Sequence, residues 1–514
     1  MTGFHEVARR VAAGTASNAV GRVLILLGTI AVTPIIVHAV GATDYGVWIL
    51  ISSLASIGGV LELGISAGLV KYVAEHAARD EVDEAAHIVA AATWLYTLLA
   101  VFFLLVGLGL AVAVPLALGL EAEAKTLART LGALAAIDLG LSMLSLAPMS
   151  MLKGLQRFPV VNAVQVATSA VAVVLTVVVI EVGGGIVSVS AVWVATRVIA
   201  VAMYAIVARR TFPEYMAVSR RRDLKRVGRL VRFSRSIAAV QVAVNMQGRL
   251  DAVVIGAALP VREVAGYSFA QRLADGTRLA TDQFGKVLLP LASEVSATRE
   301  RGALRELFLT STRLTLGIAF GVGVPVALLG GPILDVWVGD EFSGYGGVVT
   351  ILACAAIVDL PSYPAAAVLQ SIERHGPIAW MAMGSAVANV GLSIALVGPY
   401  GVEGVAAGTL IASAVEVVVF VVPYTARLLE VSPGDFVSQV LLPLLVPVAT
   451  LALLLLGGHE LLPVTSLPRL VLVVGGSIAV YAVMYVAVGA AGRERAVYRA
   501  AASAVLRRAK RTRS

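Results

Sequence analysis

The chain has 514 residues, 59% of them hydrophobic and only 14% charged, with a formal net charge of +8 and a mean hydropathy of +0.90. That composition excludes a soluble globular protein and describes an all-α, polytopic integral membrane protein. A single cysteine, Cys354, leaves no disulfide framework and no thiolate metal site, and the basic excess gathers at the ends of apolar segments, which needs no nucleic-acid partner.

Taken in chain order, about fourteen apolar segments of membrane-spanning length are predicted. They cover residues 19–40, 45–68, 88–114, 129–151, 160–180, 186–208, 233–258, 264–292, 308–330, 346–370, 377–398, 402–424, 437–457 and 467–489. Residues Met1 to Val20 lack the small-residue cleavage pattern of a signal peptide. Lys and Arg orient the spans. The predicted outer loops hold only Lys125, Arg129, Arg262 and Arg469, whereas Arg209–Arg232 and Arg493–Arg513 are strongly basic. An even number of spans places both basic segments, and both termini, in the cytoplasm, with the protein in the cytoplasmic (inner) membrane.

The chain also repeats itself. Gly41–Trp48 recurs loosely as Pro260–Tyr267, with Gly46 matching Gly266. Leu152–Arg157 recurs as Leu369–Arg374, Pro148 matches Pro364, and the Gly185 turn matches Gly401, all at offsets between 216 and 220. Six spans per copy make the two copies parallel. The predicted organisation is a six-helix lobe over 1–210, a basic cytoplasmic linker over 211–232, a second six-helix lobe over 233–430, two additional spans over 431–492 and a basic tail over 493–514.

Polar residues inside the spans are the candidates for function, since an intramembrane charge costs about 2.5–3.5 kcal/mol at the bilayer centre. The eighth span carries Arg272, Asp275, Arg278, Asp282 and Lys286 at spacings of three and four. At about 100° per residue they share roughly a third of the helix circumference. Such a stripe belongs against water or other helices. Pairs at helical spacing are expected for Arg272 with Asp275, Arg278 with Asp282, and Asp282 with Lys286. In the seventh span Gln241, Asn245 and Arg249 form a second polar line, with Asp251 off that face. Arg249 suits either the cavity or snorkelling to the interface. The isolated acids Glu62, Asp138, Asp359 and Glu416 suit either cation or proton coupling or a structural pairing with an Arg on a facing helix; Arg197 has no acid one turn away in its own helix. Asn18 and Arg22 repeat the polar theme in the first span, which suggests that both lobes line one cavity.

Enzyme motifs are absent. Gly183-Gly184-Gly185 lacks the Lys-Ser/Thr of a phosphate-binding loop, there is no Gly-x-Ser-x-Gly elbow, and the six histidines have no paired metal-ligand spacing. The chain is therefore expected to be a carrier rather than an enzyme, with no cofactor and no metal.

Along spans seven and eight Arg249, Arg272, Arg278 and Lys286 outnumber Asp251, Asp275 and Asp282, which predicts a cationic central cavity. Two bundles of six with two further C-terminal spans and a cationic lumen resemble the multidrug/oligosaccharidyl-lipid/polysaccharide exporter superfamily. Within it, Gly41-Ala-Thr-Asp-Tyr-Gly-Val-Trp-Ile-Leu with Leu61-Glu62-Leu63-Gly64-Ile65 and Lys71-Tyr72-Val73-Ala74 looks like the start of the polysaccharide repeat-unit flippases. Ala265–Leu273 and Leu289–Ser293 look like the opening of their second half. The resemblance implies a V-shaped, two-lobed transporter that moves a polyprenyl-diphosphate-linked oligosaccharide between leaflets by alternating access. It also implies membrane lipids as surroundings, a polysaccharide polymerase and glycosyltransferases as working partners, and a monomer. Arg272 and Arg278, helped by Arg249, Lys286, Asn245 and Gln241, would then attract the anionic headgroup or glycan. Asp275, Asp282, Asp359, Glu62 and Asp138 would couple ions or hold the cations in place. The competing expectations are a cation-coupled multidrug antiporter, whose lumen should be acidic, a lipid II flippase, and a membrane-embedded glycosyltransferase or polymerase, which would want a carboxylate site and a long outer loop.

Overall fold

The computed structural model describes residues 2–60, 63–117, 122–216, 226–228, 230–231, 249–297, 301–374 and 376–489. Among them every regular element is helical. The chain separates into two compact units, Met1–Ala265 and Gly266–Ser514.

The first unit contains α1 (Thr2–Val60), α2 (Leu63–Ala78), α3 (Val82–Ala117), α4 (Ala122–Gly154), α5 (Phe158–Glu181), α6 (Ile186–Thr211), the short α7 (Pro213–Met216) and α8 (residues 249–258). Its closest helix pair shows how small residues substitute for hydrophobic drive in lipid. A Cβ on Gly107 of α3 would stand 2.6 Å from that of Ala136 in α4, and one on Gly132 of α4 would stand 2.7 Å from that of Ala111 in α3. Both glycine–alanine pairs sit one helical turn apart, so the two backbones meet along a reciprocal seam. The core below it is built from Tyr96, Met151, Leu152, Val161 and Tyr204. Outward, Leu105, Val174 and Val198 are exposed, as lipid-facing positions should be.

The division between units falls later than the predicted lobe boundary at 211–232. Residues 249–265 belong with the first unit because they pack on α1. Gly256 is pressed against Leu50, Gly46 lies against the backbone carbonyl of Val261, and Arg249 donates to the Ser56 carbonyl at 2.8 Å. A larger residue at either glycine would separate the two segments.

The helix α9 (Arg262–Ala297) leads into the second unit, which contains α10 (Arg301–Leu328), α11 (Gly330–Val338), α12 (Gly346–Asp359), α13 (Ser362–Ser371), α14 (Gly376–Ala414), α15 (Val422–Leu428), α16 (Pro433–Phe436), α17 (Leu442–Leu461) and α18 (Leu467–Met484). The two additional C-terminal spans share this unit's core rather than hanging from it. Leu444, Leu451, Leu455 and Tyr481 cluster with Phe308, Leu316 and Leu360. Polar ties fix the arrangement. Tyr481 donates to the Gly317 carbonyl at 2.6 Å, Arg313 donates to the Gln439 carbonyl at 2.7 Å, and Arg305 meets Asp435 at 2.9 Å. Gly317 leaves the room that the Tyr485 ring needs. Arg313 is buried in the middle of a span, a role the sequence reading did not give it.

Ten helices among the described residues are long and apolar enough to cross a membrane. Two of these stretches, Leu27–Ile57 and Gly376–Leu428, are broken by glycines with positive φ, Gly41 at 80° and Gly401 at 58°, and so each takes in two of the predicted spans. The predicted span over 264–292 lies in α9, whose charge stripe removes it from the apolar set. Most of the span over 233–258 is outside the described residues.

The matched segments Leu152–Arg157 and Leu369–Arg374 end their helices alike, in a geometry that Asp80 and Glu430 also adopt. Gln156 and Glu373, 217 positions apart, both adopt the left-handed conformation, at φ 57° and 59°. Each closes a helix with the same hydrogen bonds: Arg157 N–H to Leu152 O and Arg374 N–H to Leu369 O, both at 2.8 Å, and Gln156 to Lys153 and Glu373 to Gln370 at 2.9 and 3.1 Å. This is the helix-ending geometry usually given to glycine. The match at the Gly185 turn is displaced: the residue there with positive φ is Gly183.

Candidate functional site

Each unit carries ionisable side chains within its bundle, and the two sets differ. In the second unit the centre is Arg278. Its Nη1 donates to Asp275 Oδ1 at 3.0 Å within α9, and its Nε lies 3.4 Å from Asp359 Oδ2 at the end of α12. Periodicity places Asp275 one turn before Arg278; the helix break at Leu360–Pro361 brings Asp359 to it from another element. Side-chain exposure is 29% for Arg278 and 28% for Asp359, so the pair is accessible from outside the bundle core. Asp359 in turn interacts electrostatically with Glu416, which reaches Ser385 by a hydrogen bond. Glu416 sits in a π-helical turn, Val415–Val421, a distortion that turns a side chain away from its regular register.

The second acid of Arg278 changes the electrostatic balance. Along the seventh and eighth spans alone the sequence counts a surplus of cations. Asp359 and Glu416 come in from other helices: among the described side chains, Arg278 is held by Asp275 and Asp359, and Glu416 lies in the field of Asp359. Charge counted along single helices could not give the sign of the site. Arg272 is half-buried on α9. Asp282 and Lys286 lie on the same helix with side chains outside the description, so the expected pairs through Asp282 lie there too. Gln241, Asn245 and Glu62 fall outside the described residues altogether.

In the first unit the ion pair joins α4 to α6. Arg197 Nε donates to Asp138 Oδ1 at 2.9 Å and Nη2 to Oδ2 at 3.3 Å, the two-pronged geometry that guanidinium and carboxylate favour. Sequence reasoning flagged both residues separately; their 59-residue separation hides the pairing. Beside them Trp48 and Trp193 stand edge to face with ring centres 6.2 Å apart. These aromatic residues were missed, because one tryptophan per helix has no periodicity. Arg249 spends a hydrogen bond on the Ser56 carbonyl, and Asp251 is buried.

Long apolar helices with ion pairs inside the bundles describe a multi-pass membrane protein. Solved structures share this fold. An inward-facing multidrug resistance MATE family transporter of the MOP superfamily superposes with a TM-score of 0.70 at 16% identity, over 80% of this chain and 98% of that one. The lipid II flippase MurJ in an inward closed conformation gives 0.68 at 15% identity, over 92% of this chain and 99% of that one. A MOP superfamily transporter from Pyrococcus furiosus, described as having a binding pocket of reversed polarity, gives 0.59 at 14% identity, over 82% of this chain and 95% of that one. No curated protein matches the chain in sequence. The sequence pattern of the polysaccharide biosynthesis protein family matches residues 39–347, and the chain belongs to that family.

Proposed function

We propose that the protein is a flippase that carries a polyprenyl-diphosphate-linked oligosaccharide from the cytoplasmic to the outer leaflet of the cytoplasmic membrane, for cell-surface polysaccharide assembly. Membership of the polysaccharide biosynthesis family and a fold shared with the MATE and MurJ proteins support this class. The observation that carries the mechanism is Arg278 held between Asp275 and Asp359. A diphosphate is the ligand for which a guanidinium would leave a carboxylate, since it offers more charge and more acceptor oxygens in the same planar geometry. Arg272, with Lys286 further along α9, adds positive charge for the same headgroup; Arg249, Asn245 and Gln241 are candidates for it from the sequence pattern alone.

Displacement of this kind couples cargo to cations. When the diphosphate takes Arg278, Asp275 and Asp359 lose their partner, and a proton or metal cation then neutralises them beside Glu416. Cargo binding and cation uptake favour each other by linkage. Asp282, Glu62 and Asp138 are secondary in this scheme, Asp138 because Arg197 already occupies it. Rocking of the two bundles would expose the site to each side in turn. Both termini and the segment 209–232 face the cytoplasm in this proposal; cysteines placed there, in a Cys354→Ser background, should label only from the cytoplasmic side.

The carboxylate surplus around Arg278 favours a second reading, a cation-coupled antiporter of organic cations. The two separate in cells lacking the protein. The flippase reading expects lipid-linked oligosaccharide to accumulate on the cytoplasmic leaflet, and the antiporter reading expects heightened sensitivity to cationic drugs with normal lipid-linked intermediates.

A further inference from the structure

The unit formed by residues 1–265 contains a chamber that the scheme built on Arg278 does not use. It has a volume of about 220 Å³ and opens among α1, α4 and α6; its walls are largely apolar, with Trp48 and Trp193 among them, and Asp138, Arg197 and Ser142 add a polar side. A second, more strongly apolar cavity of about 520 Å³ lies among α1, α5 and α6 and shares Trp193 and Arg197 with it. A chamber with one polar side next to an apolar cavity matches the two halves of an amphiphile.

The wall chemistry narrows the polar half. The two-pronged Asp138–Arg197 pair is neutral as a unit, so it offers a diphosphate little net attraction. It still presents carboxylate lone pairs and guanidinium N–H groups at fixed positions, which suit a ligand that is both donor and acceptor. The indole pair of Trp48 and Trp193 supplies flat apolar surface next to these polar atoms. A sugar ring has hydroxyls around its rim and C–H groups on its faces, and so meets both kinds of wall. The volume falls below the roughly 300–1,000 Å³ of sites for drug-sized ligands, which limits the occupant to about one ring.

We propose that this chamber is a binding site for one sugar ring of a glycolipid, with the ring face on the Trp48–Trp193 pair, the hydroxyls on Asp138 and Arg197, and the aglycone chain along the neighbouring apolar cavity. The flippase reading suggests where such a glycolipid comes from, while the site itself stands on the walls of the chamber.

The test uses the full chain in lipid nanodiscs and a dodecyl glucoside with a photoreactive diazirine on its sugar. Cross-links are expected on the segments holding Trp48, Ser142 or Trp193. Unlabelled dodecyl glucoside should reduce them at least tenfold, whereas a tetraethylene glycol dodecyl ether at equal concentration should not. Ser142→Leu, which fills the chamber, should cut labelling at least fivefold, and Ser142→Ala should leave it unchanged. Equal competition by the ether, labelling elsewhere, or full labelling of Ser142→Leu would overturn the proposal. Binding of the glucoside without any lipid-linked oligosaccharide transport would retain the site and remove the flippase reading; transport without sugar-selective competition would do the reverse.

Discussion

The two units hold their intramembrane arginines in different ways. In the first, Arg197 closes on a single carboxylate with both prongs of its fork. In the second, Arg278 is shared by Asp275 and Asp359, each through one contact, with Glu416 further along the same electrostatic chain. A one-to-one fork is satisfied and neutral; it braces α4 against α6 and has little to gain from an anion. A shared arginine amid surplus carboxylates is poised between partners, and an incoming anion can shift it at modest cost. The number of partners per guanidinium thus separates a neutral fork, which can offer only fixed donors and acceptors to an uncharged ligand, from a shared arginine that the proposed mechanism asks an anion to draw away.

The comparison breaks most sharply at Arg278. Arg278→Ala should abolish transport in a reconstituted flipping assay while the protein still inserts, and Arg278→Lys should retain only a small part because an ammonium lacks the planar fork. Asp359→Asn should weaken the hold on Arg278, strengthen cargo binding several-fold and flatten the dependence of binding on pH, read by titration of a polyprenyl diphosphate. An Asp359→Asn variant with wild-type affinity and pH profile would remove Asp359 from the coupling scheme. For the fixed pair the expected effect lies in stability. Arg197→Met or Asp138→Leu alone should cost about 1–2 kcal/mol, reduced from the deeply buried case because both side chains remain partly exposed. The double replacement should recover much of that loss, and a thermal-melting double-mutant cycle gives the coupling directly.

How much of this was legible in the sequence follows from what repeats along one helix. The charge stripe from Arg272 to Lys286 was visible because its members share one face of α9. The partners that set the character of the site were not, since Asp359 reaches Arg278 from α12 and Asp138 reaches Arg197 across 59 residues. Spans and fold class were legible because lipid demands long apolar runs. The unit boundary was not, because the packing of Gly256 on Leu50 and of Gly46 on Val261 leaves no trace beyond two small residues. The likeness of Leu152–Arg157 and Leu369–Arg374 was legible because similar helix ends are built from similar chain.

Smaller effects sharpen the same contrast. Gly132→Leu should disrupt the α3–α4 seam beneath the fixed pair and cost about 1–3 kcal/mol by overpacking, lowering the melting temperature more than Gly109→Leu, where a Cβ meets open space. Smallest of all, Gln156→Gly and Glu373→Gly should each stabilise the protein by up to about 1 kcal/mol, because an L side chain in the left-handed region is strained. Equal gains would confirm that the two helix ends are equivalent; a gain at one and a loss at the other would mean that one of these side chains has acquired a separate role.

The most direct test of the central claim is the leaflet distribution of lipid-linked oligosaccharide in cells that lack the protein and are complemented with the wild type, with Arg197→Met or with Arg272→Ala/Arg278→Ala. The account predicts that the oligosaccharide is trapped on the cytoplasmic leaflet in the absence of the protein, released by the wild type, largely released by Arg197→Met, and still trapped with the Arg272/Arg278 double variant. Release by that double variant at the wild-type rate would contradict it.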